Sequence, residues 1–197
     1  MSTAAVLPRI LGALFYYSPQ RPDIKALIGC LPTLPSLFAW RDPHTIDELC
    51  HSWPVAADDE LIWQHSALFE GQGEMVAPPW GSVYQEKDNL LMGETTASYR
   101  VFLRQHGLEF DGRHHEPEDQ FGLMLLAYSA LIARSDQQAA RILLEQFLLP
   151  WAARYLELLQ QNPVSAFYSR LAQVADIYLQ NVSYQQALNP VKRRIFF

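Results

Sequence analysis

The chain has 197 residues, 49% of them apolar and 18% charged, a balance that suits one domain with a continuous core and excludes intrinsic disorder. Lys and Arg number 15 against 21 Asp and Glu, for a formal net charge of −6. No basic stripe faces a phosphate backbone, so nucleic acid is excluded as a partner.

The apolar run Ile10 to Tyr17 is too short to span a bilayer. No basic stretch precedes it and no small-residue cleavage site follows, so the reading is a cytoplasmic protein without a transmembrane segment. Cys30 and Cys50 form no CxxC and lack zinc-finger spacing, which fits a reduced compartment and no metal. Aromatics reach 12%, more than core filling needs, and suit recognition of apolar peptides.

Apolar residues recur at helical spacing along nearly the whole chain, and no segment sustains period-two alternation. Leu7, Leu11, Leu14 and Phe15 line a first helix that stops near Ser18-Pro19. Residues 20–56 are Pro-rich and read as short helices joined by turns. A helix from about Ala57 to Phe69 follows, ended by Gly71 and Gly73, and residues 70–90 read as a loop region. Thr95 to about His106 forms the next helix, stopped by Gly107. Glu116-Pro117-Glu118-Asp119 is expected to open a helix that is apolar nearly all round from Phe121 to Ile132, and therefore central. Asp136 starts another, which Pro150 kinks or restarts before Trp151. The last has the cleanest spacing, with Phe167, Leu171, Val174, Ala175, Tyr178, Leu179 and Val182 on one face. A basic tail spans 189–197. These elements make an all-α, single-domain helical bundle over 1–197.

Two loops carry more than periodicity. In Ala77-Pro78-Pro79-Trp80-Gly81-Ser82-Val83-Tyr84 the prolines set an extended backbone, and Trp80 is either an aromatic plate for an apolar peptide or a plug in the core. In Glu116-Pro117-Glu118-Asp119-Gln120-Phe121-Gly122 the carboxylates either complement a helix N-terminus or present an anionic site to a guanidinium pair.

These two loops, with Leu11-Gly12-Ala13-Leu14-Phe15-Tyr16-Tyr17 and Leu149-Pro150-Trp151, stand in the order and spacing of one family. From about Arg9 to about Leu179 the chain resembles the twin-arginine leader-binding chaperones of dimethyl-sulfoxide-reductase-type molybdoenzymes, the TorD/DmsD/NarJ group, and most the DmsD-like branch. The resemblance implies an all-helical fold and no enzymatic activity. It implies a groove for the twin-arginine signal peptide of a molybdoenzyme catalytic subunit, held back from Tat export until the cofactor is inserted, with the Tat translocon as a further candidate partner. The family's leader-binding positions match at Leu68, Phe69, Pro79, Trp80, Glu116, Pro117 and Asp119. Gln120 stands where the family commonly has His, and His65 where close relatives have Trp; Gln cannot titrate near neutral pH.

Other readings remain beside this one. The alternative is a cofactor-insertion chaperone that grips mainly the mature client. His114-His115-Glu116 invites a metal-site or nucleotide-dependent-enzyme reading, but no paired metal-ligand spacing and no phosphate loop accompany it. No cofactor is implied. Lys192-Arg193-Arg194-Ile195-Phe196-Phe197 repeats the twin-arginine pattern of two arginines and, one residue later, an aromatic. It is either a basic end to the last helix or a pseudo-leader that folds back into the chaperone's own groove.

Overall fold

The computed structural model describes residues 3–71, 73–109 and 116–197. His114 and His115 lie outside the described residues, as does the Asp111-Gly112 turn. Among the described residues the secondary structure is helical, with one isolated bridge, Trp80 to Gln120.

The helices are α1 (Val6–Tyr16), α2 (Pro22–Gly29), α3 (Pro43–His51), α4 (Asp58–Phe69), α5 (Gly81–Gln85), α6 (Glu94–Gln105), α7 (Phe121–Ala133), α8 (Gln137–Ile142), α9 (Leu149–Gln160) and α10 (Ala166–Gln185). A 3₁₀ stretch, Leu31–Leu37, links α2 to α3, and a π-helical stretch, Leu143–Leu148, links α8 to α9. Local chemistry explains the boundaries. Pro22 and Pro43 sit in the first turns of α2 and α3, where a missing N–H costs nothing. Asp42, Asp136 and Ser165 cap α3, α8 and α10 by accepting from the N–H groups of Thr45, Ala139 and Tyr168. Gly107, at φ +60°, lets the chain turn sharply after α6.

Two boundaries differ from expectation. α7 begins at Phe121, not at Pro117, because the backbone of 119–121 is engaged elsewhere. Gly81 N–H donates to Asp119 O at 3.0 Å and Phe121 N–H to Pro79 O at 2.8 Å, an extended pairing incompatible with a helix at these residues. The Gln120 side chain becomes the N-cap, accepting from Leu123 N–H at 3.0 Å. The expected loop of 70–90 also contains the five-residue α5.

α7 is buried on nearly every side, as its uniform apolarity requires, and α1 lies along it. The two helices touch backbone to backbone at Gly12 and Gly122. A Cβ on either residue would stand 2.7 Å from the other's carbonyl oxygen. α9 and α10 form the other close pair, with the cleanest apolar face of the sequence wholly buried on α10.

Candidate functional site

The four sequence motifs converge. Phe15 of α1 meets Phe121 of α7 edge-on at 4.9 Å, and Phe121 meets Trp151 and Tyr155 of α9 at 6.0 and 4.9 Å. Tyr84 of α5 stacks on Trp151 at 5.3 Å. Gly81 is required at this joint, since a Cβ there would stand 2.7 Å from the Trp151 indole nitrogen. This aromatic cluster fixes the two loops against the bundle.

The loops in turn hold each other. Pro78 and Pro79 donate no hydrogen bonds, and Trp80 is extended at φ −108° and ψ 129°, so the strand-like segment pairs across to 119–121. Trp80 is 7% exposed, and its indole N–H donates to Glu116 Oε1 at 2.6 Å. Its ring is therefore part of the core, and its polar edge positions a carboxylate. Asp119 is 4% exposed; its Oδ2 accepts the Ser82 N–H at 2.6 Å, so it caps the first turn of α5 from another part of the chain. Burial raises its pKa, while the Ser82 backbone and the Ser82 and Thr96 side chains pull it down. Gln120 bridges in both directions, accepting from Leu123 N–H and donating from Nε2 to Phe15 O at 3.3 Å. An amide can do both at once, which accounts for its presence here. Leu68, Phe69, Pro79 and Pro117 are buried, and Phe69 packs edge-on against Phe15 and Tyr168. Glu118 pairs with Arg100 at 2.6 Å.

What remains open is a cleft of about 330 Å³ where the ends of α1 and α4 meet the 116–120 segment. Of the residues singled out in the sequence, His65, Phe69, Glu116 and Gln120 line it; Leu68, Pro79, Trp80, Pro117 and Asp119 are buried and do not line it. Tyr16, Tyr17 and Glu70 line it too and were not singled out as site residues. The signal was available: both tyrosines lie inside the first motif, and Glu70 directly follows Phe69. Burial and the nearby Glu116 charge push the Tyr16 hydroxyl up to about 12, so it stays protonated as a donor. His65 closes the back wall at 1% exposure, its Nδ1 3.5 Å from Glu70 Oε1. Carboxylates beside aromatic faces bind guanidinium groups through charge-assisted hydrogen bonds and cation–π contact.

The cleft adjoins a larger groove of about 910 Å³, and Tyr17 and Arg21 line both. Its floor is apolar, with Ile10, Ala13, Leu123, Leu126 and Ala130 among its residues. At the junction Arg21 is held by Asp23, at 3.0 and 2.9 Å, and lies over the Tyr17 ring. Among the described residues, no group of three or more potential metal ligands comes together.

The family model described as nitrate reductase delta subunit matches residues 39–157. The chain belongs to this family. The Tat proofreading chaperone DmsD of Salmonella typhimurium is 31% identical over 176 residues, 89% of this chain and 86% of that protein. The chaperone protein YcdY of Escherichia coli is 30% identical, across 87% of this chain and 89% of its own length. A redox enzyme maturation protein from Archaeoglobus fulgidus shares the fold with a TM-score of 0.60 at 15% identity, over 89% of this chain and 94% of that one. The chain is thus a member of the nitrate reductase delta subunit family, in the TorD/NarJ group, and its curated relatives are chaperones, not enzymes. Among the described residues no helix is long and apolar enough to cross a membrane.

Proposed function

We propose that the chain binds, in the cytoplasm, the twin-arginine signal peptide of a dimethyl-sulfoxide-reductase-type molybdoenzyme and holds it back from Tat export until cofactor insertion and folding are complete. The observation that supports this reading is that the acidic, aromatic cleft and the larger groove lie side by side, sharing Tyr17 and Arg21 in their walls. A peptide with two arginines ahead of an apolar stretch would place its guanidinium groups at Glu70 and Glu116 and its apolar residues over Ile10, Leu126 and Ala130. Tyr16 and Tyr17 supply the faces between them. Leu68, Phe69, Pro79, Trp80, Pro117, Asp119 and Gln120 act with Glu116 as the leader site, chiefly by keeping its walls in place.

Titration calorimetry with the leader of a molybdoenzyme from the same organism tests the proposal, beside a copy whose arginines are lysines. Binding should weaken for the lysine copy, and Glu116→Gln should cost roughly 1.5–3 kcal/mol, the range for hydrogen bonds to charged groups. Gln can still accept from Trp80, so the loop keeps its support. A leader that does not bind at all would move the contact to the mature client. Binding indifferent to both changes would leave apolar recognition alone.

A further inference from the structure

Lys192, Arg193 and Arg194 are the only consecutive Lys or Arg residues in a chain of net charge −6. The segment that carries them is anchored on both sides. Val191 N–H donates to Glu145 O in the π-helical stretch at 2.9 Å, and Asn189 N–H to Glu145 Oε1 at 2.7 Å. The Glu145 carbonyl is open to Val191 because Leu149 N–H goes to Leu144 O and Pro150 has no N–H to give. Beyond the cations, Phe196 N–H donates to Tyr84 O at 2.9 Å, and the Phe197 ring meets Tyr84 edge-on at 5.4 Å. The three cations between these anchors are exposed, and among the described residues no ion pair neutralises them. No tail residue lines the cleft or the larger groove, so the tail is not seated as a pseudo-leader in the chain's own groove.

A loop rises beside this strip. Arg193 lines one narrow crevice with Gln85 and Thr95, which stand at the two ends of the connection from α5 to α6. Within that connection Leu90, Leu91 and Met92 are 56, 50 and 50% exposed, three consecutive large apolar side chains in water. The backbone around them is strained and latched. Asn89 and Met92 take φ of +53° and +58°, uncommon for residues with a Cβ. Asn89 Nδ2 donates to Val83 O at 2.8 Å, and Glu86 Oε1 accepts from the N–H and the hydroxyl of Thr95, both at 2.9 Å. Gly93 leaves room for this latch, since a Cβ there would stand 2.5 Å from Glu86 Cδ. Asp88 and Glu94 are exposed beside the apolar residues, but Lys87 and the tail cations outnumber them and the latched Glu86. Glu145, under the strip, is paired with Arg141 at 2.7 Å.

We infer that the 86–95 loop and the Lys192–Arg194 strip form one docking face for an anionic phospholipid surface, with Leu90, Leu91 and Met92 entering the boundary between headgroups and acyl chains and the cations lying on the headgroups. Cations near an anionic leaflet are attracted within a Debye length, and apolar side chains gain by leaving water. Either signal alone holds a protein weakly; together they make a reversible peripheral contact. A protruding apolar loop suits a fluid partner, whereas a protein partner would need a pocket shaped to receive it. The lipid contact does not depend on leader binding.

The test is flotation of the full chain with phosphatidylcholine vesicles, with and without phosphatidylglycerol. Binding should need phosphatidylglycerol and weaken several-fold at high salt. Leu90→Ser with Leu91→Ser, and separately Lys192→Gln with Arg193→Gln, should each weaken it several-fold at an unchanged melting temperature. Hydrogen exchange of the parent chain reads the same face without substitution, and should slow at 86–95 and at 191–196 on the vesicles. No binding to phosphatidylglycerol vesicles, or no slowing in either segment, would overturn the proposal. A loss for the tail variant but not the loop variant would overturn the joint face. Retention on immobilised polyglutamate without vesicle binding would give the strip to an acidic protein instead, and overturn the lipid partner.

Discussion

His65 illustrates how much one buried residue can impose on the site. It packs against Phe69 and Tyr168 at 5.1 and 6.0 Å, and neither ring nitrogen has a hydrogen-bond partner. Burial depresses its pKa from 6.5 to about 4, with Glu70 opposing the shift. The unfolded chain therefore takes up the proton first. The stability that neutral His65 confers is whole above about pH 6.5 and lost as pH falls towards about 4. The loss amounts to about 3–4 kcal/mol at most, at about 1.4 kcal/mol for each pKa unit. His65→Phe keeps the aromatic contacts and removes the proton site. Denaturant titrations at pH 7 and pH 4.5 should show a smaller acid loss in the variant than in the parent; equal losses would mean that His65 is solvated when charged. The sequence placed His65 with Leu61, Leu68 and Phe69 on neighbouring turns of α4, but its ring contact with Tyr168 of α10 is decided by tertiary packing.

At the scale of elements, the crossing of α1 and α7 decides where the cleft lies, because α1 ends at its Tyr16-Tyr17 wall and α7 begins at its Gln120 floor. The crossing depends on two glycines whose close approach leaves no room for a methyl group. Gly122→Ala should destabilise the fold by about 1–3 kcal/mol, the usual cost of overpacking, and urea denaturation would measure it. A neutral result would mean that the helices can separate without loss. The helices themselves were legible in the sequence: the apolar spacing of α1, α4, α6, α7, α9 and α10 marks their faces, and capping residues mark several ends. The start of α7 was not. Pro117 and its neighbouring carboxylates have the local chemistry of a first turn, but pairing with Pro79 and Gly81 holds this segment extended.

The whole molecule turns on the cluster where four motifs meet. Phe121 is fully buried between Phe15, Trp151 and Tyr155. Phe121→Ala should cost about 3–5 kcal/mol in stability, read from chemical denaturation. Because Phe121 does not line the cleft, leader affinity measured below the variant's melting temperature should fall much less than for Glu116→Gln. An equal fall would make the aromatic cluster part of the recognition surface.

Periodicity by itself determined the all-helical class, because burying one face of each helix is a demand that every such helix makes alone. The motif order in the sequence likewise determined the family. Tertiary structure alone decided which motif residues face a ligand. Trp80, Asp119 and Gln120 carry polar groups that suit either binding or support, and the choice was made by what stands opposite each of them: Glu116 for the indole, the Ser82 N–H for the carboxylate, and Leu123 N–H with Phe15 O for the amide. A buried polar group must satisfy itself with whatever partner the fold brings near, and that partner is rarely close in sequence.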